Sequence, residues 1–387
     1  MNNLLSLMGE STNIALANRV REMIADGKPV LQLQTGDPDF ATPQPIVQTL
    51  IKALHDGNTH YCASSGLAQL KSAVAMKLIE KNKFKQAHST NVSITHGAVQ
   101  AIQLSLASII NPGDEVVLIA PFWLAYQSDA LLAGAKVKIL KTQMSAGFIP
   151  DLTELASLLS TKTKAIIINS PNNPTGAMYP VPLLKELAEI CRKRDIYIIS
   201  DEVYEDIIFN TTHTSIQAVA PDYQKIISVF SFSKSYAMTG WRVGYLYSNA
   251  EIAKQVNKLL QFQSTCLNPA SQLAAVCALQ DPQVAKLQTE QVDTYAHRRA
   301  KILDKIQGTW LEKSTSISQG TFYIWVNISR FNLSAIEFCE LLLEQHKLSL
   351  TPGNAFGENY HDFIRFTFST NLSDIMTALD ILIALEI

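Results

Sequence analysis

Lys234 stands in the segment SFSKSYAMTGWRVGY, residues 231–245, directly after the hydrophobic run KIISVF. A hydrophobic core does not favour an amine at that point, and serines flank the lysine on both sides. Arg242 follows eight positions later. A lysine amine can attack a carbonyl carbon, and hydroxyls with a guanidinium can bind an anion. The segment therefore predicts covalent chemistry at Lys234 beside an anion site.

Other hydrophobic runs of the chain also end in residues that can bind a ligand. Asp201 follows IYIIS, Trp123 comes soon after VVLIA, and Asn173 follows AIIINS. The run NVSIT leads into a small-residue turn at 97–99 that begins a helical pattern. The free N–H groups of a helix start suit a phosphate, and a tryptophan offers a flat face for a ring. A buried carboxylate such as Asp201 can pair with a protonated ring nitrogen.

The ligand groups that these side chains could bind together describe one cofactor. A phosphate, a flat ring, a protonatable ring nitrogen and a carbonyl carbon for the lysine are the parts of pyridoxal 5′-phosphate (PLP). The eight histidines show no metal-binding spacing such as HExxH. The sequence therefore predicts PLP as the cofactor and no metal site.

The segments that position these residues alternate between helical and strand patterns. Apolar residues at 67, 70, 74 and 78 predict a helix over 66–82, and a second helix is predicted over 97–110. The runs 164–170 and 196–201 lack polar alternation, which is typical of strands buried on both faces of a parallel sheet. Ligands of open α/β sheets bind at the carboxyl ends of the strands, where the residues above stand.

The last hundred residues have a different pattern. GTFYIWVNI and DFIRFTFS read as strands, and the segments SAIEFCELLLEQH and LSDIMTALDILIALE read as helices. The predicted fold class is α/β, with a large domain whose mostly parallel sheet is sandwiched by helices, plus a smaller α+β domain. We predict the large domain over 45–280 and the small domain over 1–44 together with 281–387.

Composition narrows the class of partner. The 387 residues carry a formal net charge of −2, which argues against a protein that binds nucleic acid backbones. The five cysteines are scattered and form no CxxC pair, so a reducing cytoplasm is expected. No apolar run is long enough for a membrane span, and the N-terminal residues lack the pattern of a signal peptide.

Several motifs resemble those of class I/II PLP-dependent aminotransferases, the aspartate aminotransferase superfamily with PLP fold type I. The resemblance covers nearly the whole chain, and each motif alone would be weak, whereas their order and spacing together are specific. The motifs are GDPDFATP (36–43), NTHYCASSGLAQL (58–70), NNPTG (172–176), DEVY (201–204), SFSKSYAMTGWRVG (231–244), PGNAFG (352–357) and FIRFTFS (363–369).

The resemblance implies a role for each residue around the cofactor. Lys234 would bind the cofactor covalently and act as the catalytic base, and Asp201 would keep the ring nitrogen protonated. Tyr204 and Asn173 would donate hydrogen bonds to the ring oxygen, and Trp123 would stack on the ring. The phosphate would be held by Ala98, Val99, Ser231, Ser233 and Arg242, with Tyr61 reaching the cofactor of a neighbouring subunit in a homodimer.

The resemblance also implies how the substrate binds. Arg365 would bind the substrate α-carboxylate as a two-pronged clamp, and Gly36, Trp123 and Asn173 would lie beside the substrate. An L-amino acid and a 2-oxo acid would then react in turn by a ping-pong mechanism.

The side chain of the substrate stays open at this point. Some relatives that prefer aspartate carry a lysine at the position of Val99, so neutral or aromatic amino acids such as methionine, glutamine, phenylalanine and tyrosine stand beside aspartate as candidates. A carbon–sulfur β-lyase on the same fold, or another PLP enzyme of that fold, is the alternative. A PLP-binding regulator ranks last, because the chain carries no basic DNA-binding region.

Overall fold

A computed structural model describes residues 12–385 of the chain. The strands lie in three sheets, and their bounds follow in chain order. They are β1 (Leu31–Gln32), β2 (Val92–Thr95), β3 (Glu115–Ala120), β4 (Lys136–Lys141), β5 (Thr163–Asn169), β6 (Tyr197–Asp201), β7 (Ile226–Ser231), β8 (Gly244–Tyr247), β9 (Thr315–Ser316), β10 (Tyr323–Asn327), β11 (Leu348–Ser349), β12 (Thr351–Pro352) and β13 (Phe363–Thr367).

The α-helices of the described residues surround these sheets. The helices predicted over 66–82 and 97–110 are confirmed with slightly shorter bounds, Ala68–Glu80 and Gly97–Ile109. The helices are α1 (Thr12–Ala25), α2 (Gln44–His55), α3 (Ala68–Glu80), α4 (Gly97–Ile109), α5 (Ala125–Leu132), α6 (Leu152–Leu158), α7 (Val181–Lys193), α8 (Ile216–Val219), α9 (Phe232–Ser235), α10 (Ala250–Gln263), α11 (Pro269–Gln280), α12 (Pro282–Ile306), α13 (Trp310–Ser314), α14 (Ala335–His346) and α15 (Leu372–Ile383).

The largest sheet has seven strands in the order β2-β8-β7-β6-β5-β3-β4. Its neighbours pair in parallel except β8, which runs antiparallel to both β2 and β7. Successive residues of β5 enter different cores: Ile167 packs with α4 residues such as Ile102, and Ile166 packs with α7 residues such as Leu187. The sheet is therefore buried on both faces, as its uninterrupted apolar runs predicted.

The C-terminal third, together with β1 from the N-terminal segment, forms the two smaller sheets. Strands β12, β13, β10 and β9 form an antiparallel sheet in that order, and β1 pairs in parallel with β11. Helices α12, α14 and α15 share one hydrophobic cluster with this sheet. The mixed α/β class with a mostly parallel central sheet is confirmed, whereas the domain limits at 44/45 and 280/281 remain predictions. No helix within residues 12–385 combines the length and the apolar character that crossing a bilayer requires.

The strand register brings the predicted chemistry to one edge of the large sheet. Asn169 at the end of β5 pairs with Asp201 at the end of β6, and Ser231 at the end of β7 pairs with Gly244. Gly244 also pairs with Thr95, two residues before α4 begins. Residues far apart in the sequence therefore meet at the carboxyl edge of the parallel strands.

Candidate active site

A cavity of about 310 Å³ opens at this carboxyl edge. Every predicted site residue except Tyr61 lines this cavity. Its lining residues are Gly36, Ala98, Val99, Trp123, Tyr126, Asn169, Asn173, Asp201, Val203, Tyr204, Ser231, Ser233, Lys234, Thr239, Arg242, Tyr323, Phe356 and Arg365.

Lys234 projects its amine into the cavity from the short helix α9. That helix begins because the Ser231 side chain accepts a hydrogen bond from the Ser233 N–H. The Lys234 Nζ donates to the carbonyl oxygen of Gly36 at 2.6 Å. The helix start therefore fixes the backbone of Lys234, and the Gly36 carbonyl holds its amine beside the N-terminal segment.

Asp201 is a buried carboxylate at the end of β6, with 3% of its surface exposed. The Tyr126 hydroxyl donates to Oδ2, and the Val203 N–H donates to Oδ1 at 3.2 Å. Burial raises the pKa of Asp201 to about 6, although these two hydrogen bonds and the Lys234 amine act in the opposite direction. Full ionisation of this carboxylate at neutral pH is thus favoured by a cationic partner.

Glu202, the next residue, anchors the chain beside Asp201. Its Oε1 accepts hydrogen bonds from Ser200 and Ser215, each at 2.9 Å, and its Oε2 lies 2.8 Å from His213 Nε2. A buried carboxylate with this many partners is held in one geometry. The Asp201 backbone is therefore fixed by contacts outside the cavity.

The start of α4 lines one part of the cavity, through Ala98 and Val99. The helix has no side-chain cap, and Gly97 has a φ of +73°. A Cβ on Gly97 would lie 2.6 Å from a terminal nitrogen of Arg242, and a Cβ on Gly244 would lie 2.9 Å from the Ala98 nitrogen. The Ser231 and Ser233 hydroxyl oxygens are 2.9 Å apart. Backbone N–H groups, hydroxyls and a guanidinium thus converge where a phosphate would fit.

Arg365, on β13, also lines the cavity and is only 6% exposed. Its terminal nitrogens donate to the Asn173 side-chain oxygen at 2.9 Å and to the Gln34 carbonyl at 2.7 Å. Its Nε has no partner among the described residues, and its Cζ lies 4.1 Å from the centre of the Tyr323 ring. A buried guanidinium with neutral partners gains most from an anionic ligand, and a carboxylate matches its geometry.

Two tyrosines of the cavity were missed by the sequence analysis. Tyr126 donates to Asp201, and the Tyr204 and Tyr323 hydroxyl oxygens are 2.9 Å apart. Tyr126 lies in the first turn of α5, three residues after Trp123, which stands before the helix, and their ring centres are 5.7 Å apart. An aromatic residue so soon after a predicted strand end was the available signal. Tyr323 had no such signal, because its place depends on the pairing of β10 with β13.

Tyr61 lies apart from the cavity. Its side chain is 86% exposed, in the loop between α2 and α3, beside His60, Cys266 and Asn268. Within this chain, Tyr61 therefore does not meet the other predicted site residues. Across residues 12–385, no group of three or more His, Cys, Asp or Glu side chains is placed to hold a metal ion.

Comparison with known proteins identifies the family. The family "Aminotransferase class I and II" matches residues 28–382. An aspartate aminotransferase of Thermotoga maritima is 35% identical over 96% of this chain and 95% of its own length. An aromatic-amino-acid aminotransferase 2 of Thermococcus litoralis is 32% identical over 91% of this chain and 90% of its own.

Solved structures agree with this result. The crystal structure of aspartate aminotransferase from Thermotoga maritima superposes with a TM-score of 0.93 at 34% identity, covering 99% of this chain and 98% of that chain. The chain belongs to the class I and II aminotransferase family and has its type I fold. It is an aminotransferase, as the sequence analysis expected.

Proposed function

We propose that this aminotransferase binds PLP in the cavity and moves an amino group from an L-amino acid to a 2-oxo acid by ping-pong kinetics. One observation carries the proposal: the amine of Lys234, the buried carboxylate of Asp201 and the guanidinium of Arg365 line a single cavity. An amine for a carbonyl carbon, a partner for a ring nitrogen and a clamp for a carboxylate are the groups that this reaction needs.

The residues present fit the cofactor. The start of α4 offers a phosphate cradle so tight that a Cβ on Gly97 would collide with Arg242. Asp201, whose pKa burial raises to about 6, is suited to a protonated ring nitrogen. When bound, PLP supplies an electron sink for negative charge at the substrate α-carbon. In this proposal the phosphate is held by Ala98, Val99, Ser231, Ser233 and Arg242.

The side chains around Lys234 would divide the proton transfers. Lys234 Nζ takes the substrate α-proton and later returns it, as base and then acid. Asp201 holds a proton at the ring nitrogen. Burial raises the pKa of Tyr204 well above its ordinary value, so its hydroxyl stays protonated and serves as a donor, as does the Asn173 amide. Trp123 would cover one face of the ring.

Arg365 would hold the α-carboxylate of either substrate. Its unpartnered Nε and its terminal nitrogens provide the parallel donors that a carboxylate accepts, and Gly36 and Asn173 lie beside it in the cavity. An amino acid and a 2-oxo acid share this carboxylate, so both would use the same clamp. That sharing supports the ping-pong order, in which one product leaves before the second substrate binds.

We propose neutral or aromatic amino acids as the preferred donors. Among the described residues, the cationic side chains that line the cavity are Lys234, Arg242 and Arg365, and each already has a proposed role. Val99 adds an apolar side chain that is 43% exposed. The names of the relatives include both an aspartate and an aromatic-amino-acid aminotransferase. Fastest reaction with aspartate would overturn this preference.

We further propose a homodimer with shared active sites in a reducing cytoplasm. The exposure of Tyr61 outside its own cavity supports a role in the cofactor site of a neighbouring protomer. The five cysteines are free thiols, which a reducing compartment preserves. Sedimentation of the purified protein tests the dimer, and a monomer that retains full activity would contradict it.

The first experiment is an absorbance spectrum of purified protein with PLP, repeated after each of the twenty amino acids. A visible band that bleaches with neutral or aromatic amino acids supports the proposal, and the Lys234→Ala variant should lack both the band and turnover while keeping its circular dichroism. Release of pyruvate or ammonia without a 2-oxo acid acceptor would indicate a lyase. Normal turnover in Lys234→Ala would refute the assignment.

A further inference from the structure

Tyr323 lies between the part of the cavity proposed for the cofactor and the part proposed for the substrate. It is the first residue of β10, is 2% exposed and lines the cavity. Its hydroxyl oxygen is 2.9 Å from that of Tyr204, and its ring centre is 4.1 Å from Arg365 Cζ. One side chain therefore contacts a group from each part.

We propose that Tyr323 is a positioning residue that strengthens the hydrogen bond donated by Tyr204 and orients Arg365. This inference rests on the proposed function, in which Tyr204 donates to the cofactor ring oxygen and Arg365 binds the substrate carboxylate.

The direction of the tyrosine pair follows from a count of hydrogens. A phenol has one hydrogen to donate, and Tyr204 uses it toward the ring oxygen in the proposed function. The 2.9 Å contact then requires Tyr323 to donate and Tyr204 to accept. In a buried chain of hydrogen bonds, a hydroxyl that accepts becomes a stronger donor. Tyr323 would thus stabilise negative charge on the ring oxygen through Tyr204.

The ring of Tyr323 acts separately on Arg365. The Phe356 ring centre lies 4.8 Å from the same Cζ, so two aromatic rings bound the guanidinium. Arg365 Nε has no partner among the described residues, so hydrogen bonds alone leave one donor of its fork unconstrained. Aromatic contacts can therefore fix the plane of the fork before a carboxylate arrives.

The same hydroxyl restricts the N-terminal segment. A Cβ on Gly36 would lie 1.8 Å from the Tyr323 hydroxyl oxygen, and the Gly36 carbonyl accepts the hydrogen bond from Lys234. A glycine at 36 therefore lets the segment approach the phenol. The Tyr323 hydroxyl therefore packs directly against the Gly36 backbone, beside Lys234.

The test uses two substitutions that separate the hydroxyl from the ring. Tyr323→Phe removes the donated hydrogen bond and keeps the ring, and Tyr323→Leu removes both. Tyr295→Phe is the matched control, because Tyr295 is buried in the same hydrophobic cluster and its hydroxyl has no partner among the described residues. For each PLP-loaded protein, the pH midpoint of the visible band and the dissociation constants of 3-phenylpropionate and succinate are measured.

In Tyr323→Phe we expect the midpoint to rise by roughly half a pH unit, because the ring oxygen loses stabilisation of its negative form. For whichever of the two carboxylates binds wild type more tightly, the dissociation constant of Tyr323→Phe should stay within about twofold of the wild-type value. In Tyr323→Leu, that carboxylate should bind about tenfold more weakly. Tyr295→Phe should match the wild type in both measurements.

Each failure has its own signature. A wild-type protein with no visible band would refute the proposed function itself. A band that is present, with the same midpoint in wild type and Tyr323→Phe, would refute the hydrogen-bond relay. Equal carboxylate affinity in the Phe and Leu variants would refute the role of the ring. Folding of each variant is checked by circular dichroism, and Tyr323→Phe alone suffices for the relay if the Leu variant does not fold.

Discussion

Asp201 combines burial with neutral hydrogen-bond donors, and burial raises its pKa to about 6. Between about pH 4 and 6 the cofactor-free folded protein then holds a proton that the unfolded chain has released. Its free energy of unfolding should therefore fall as the pH rises through this window. Asp201→Asn lacks this titration, so its stability relative to wild type should rise by up to about 3 kcal/mol from pH 4 to 7.

Denaturant titrations of both cofactor-free proteins across this pH range measure the difference. Burial also raises the pKa of Asp129 to about 6, but that carboxyl is present in both proteins and cancels from the comparison. Asp129→Asn, which keeps Asp201, is the control: its stability relative to wild type reports the titration of Asp129 alone. A constant stability difference between Asp201→Asn and wild type across the window would show that the carboxyl titrates normally.

Arg365 is the second residue whose chemistry can be isolated by a single change. Arg365→Lys keeps a positive charge but loses the parallel donors, so KM for both substrates should rise about a hundredfold with a smaller loss in kcat. Steady-state kinetics with each substrate varied in turn measures the effect. Arg299→Lys is the control: Arg299 is partly buried and donates to the Ser318 carbonyl outside the cavity, so this change should leave KM unchanged. A fall in kcat alone would argue against a carboxylate clamp.

At the scale of elements, the start of α4 combines a strained backbone with the proposed phosphate site. Gly97 and Gly113 both have positive φ, +73° and +93°, but only a Cβ on Gly97 would meet another group, Arg242. Replacing either glycine with alanine should lower the free energy of unfolding by about 1 kcal/mol.

The two variants should differ in cofactor affinity. Gly97→Ala displaces Arg242 from the helix start, so PLP should bind at least about tenfold more weakly, whereas Gly113→Ala should bind it as the wild type does. Denaturation curves of both variants measure the backbone strain, and equilibrium titration with PLP measures the effect of the collision with Arg242. Equal affinities would mean that the collision is relieved without cost.

Prediction from the sequence succeeded where local pattern decides the structure. The apolar runs that became β5 and β6 predicted Asn173 and Asp201 at one sheet edge, because parallel strands share a direction, and both residues line the cavity there. It failed where distant pairing decides. Nothing near Tyr323 indicates that its hydroxyl meets Tyr204, which lies 119 residues earlier in the chain. The antiparallel β8 was likewise not predicted, since a short strand carries no mark of its direction.

For the whole molecule, the proposed shared active sites predict complementation between two impaired variants. In the proposed homodimer, Lys234→Ala would remove the base from its own protomer, and Tyr61→Ala would weaken cofactor binding in the neighbouring one. A mixed dimer would then contain one intact site, so random mixing should restore about a quarter of wild-type activity at low PLP concentration. Activity is measured after the two proteins are unfolded and refolded together.

Separately refolded proteins, combined only at the assay, are the control for exchange of subunits. If Tyr61 served its own protomer, the site of the mixed dimer that keeps Lys234 would still carry the Tyr61→Ala change. The mixed dimer would then show no activity beyond that of the Tyr61→Ala parent. The absence of recovery, with mixed dimers demonstrated by mass, would therefore contradict the shared site.

The cavity is closed by contacts between remote parts of the chain. Arg365 donates to Gln34, 331 residues away, and Lys234 donates to Gly36, 198 residues away. Such long loops close late in folding, since their entropy must be lost before the contact forms. During refolding, helical circular dichroism should therefore recover first, and the ability to capture PLP should follow after a lag. The cofactor would then stabilise a chain that is already assembled and would not guide the earlier steps.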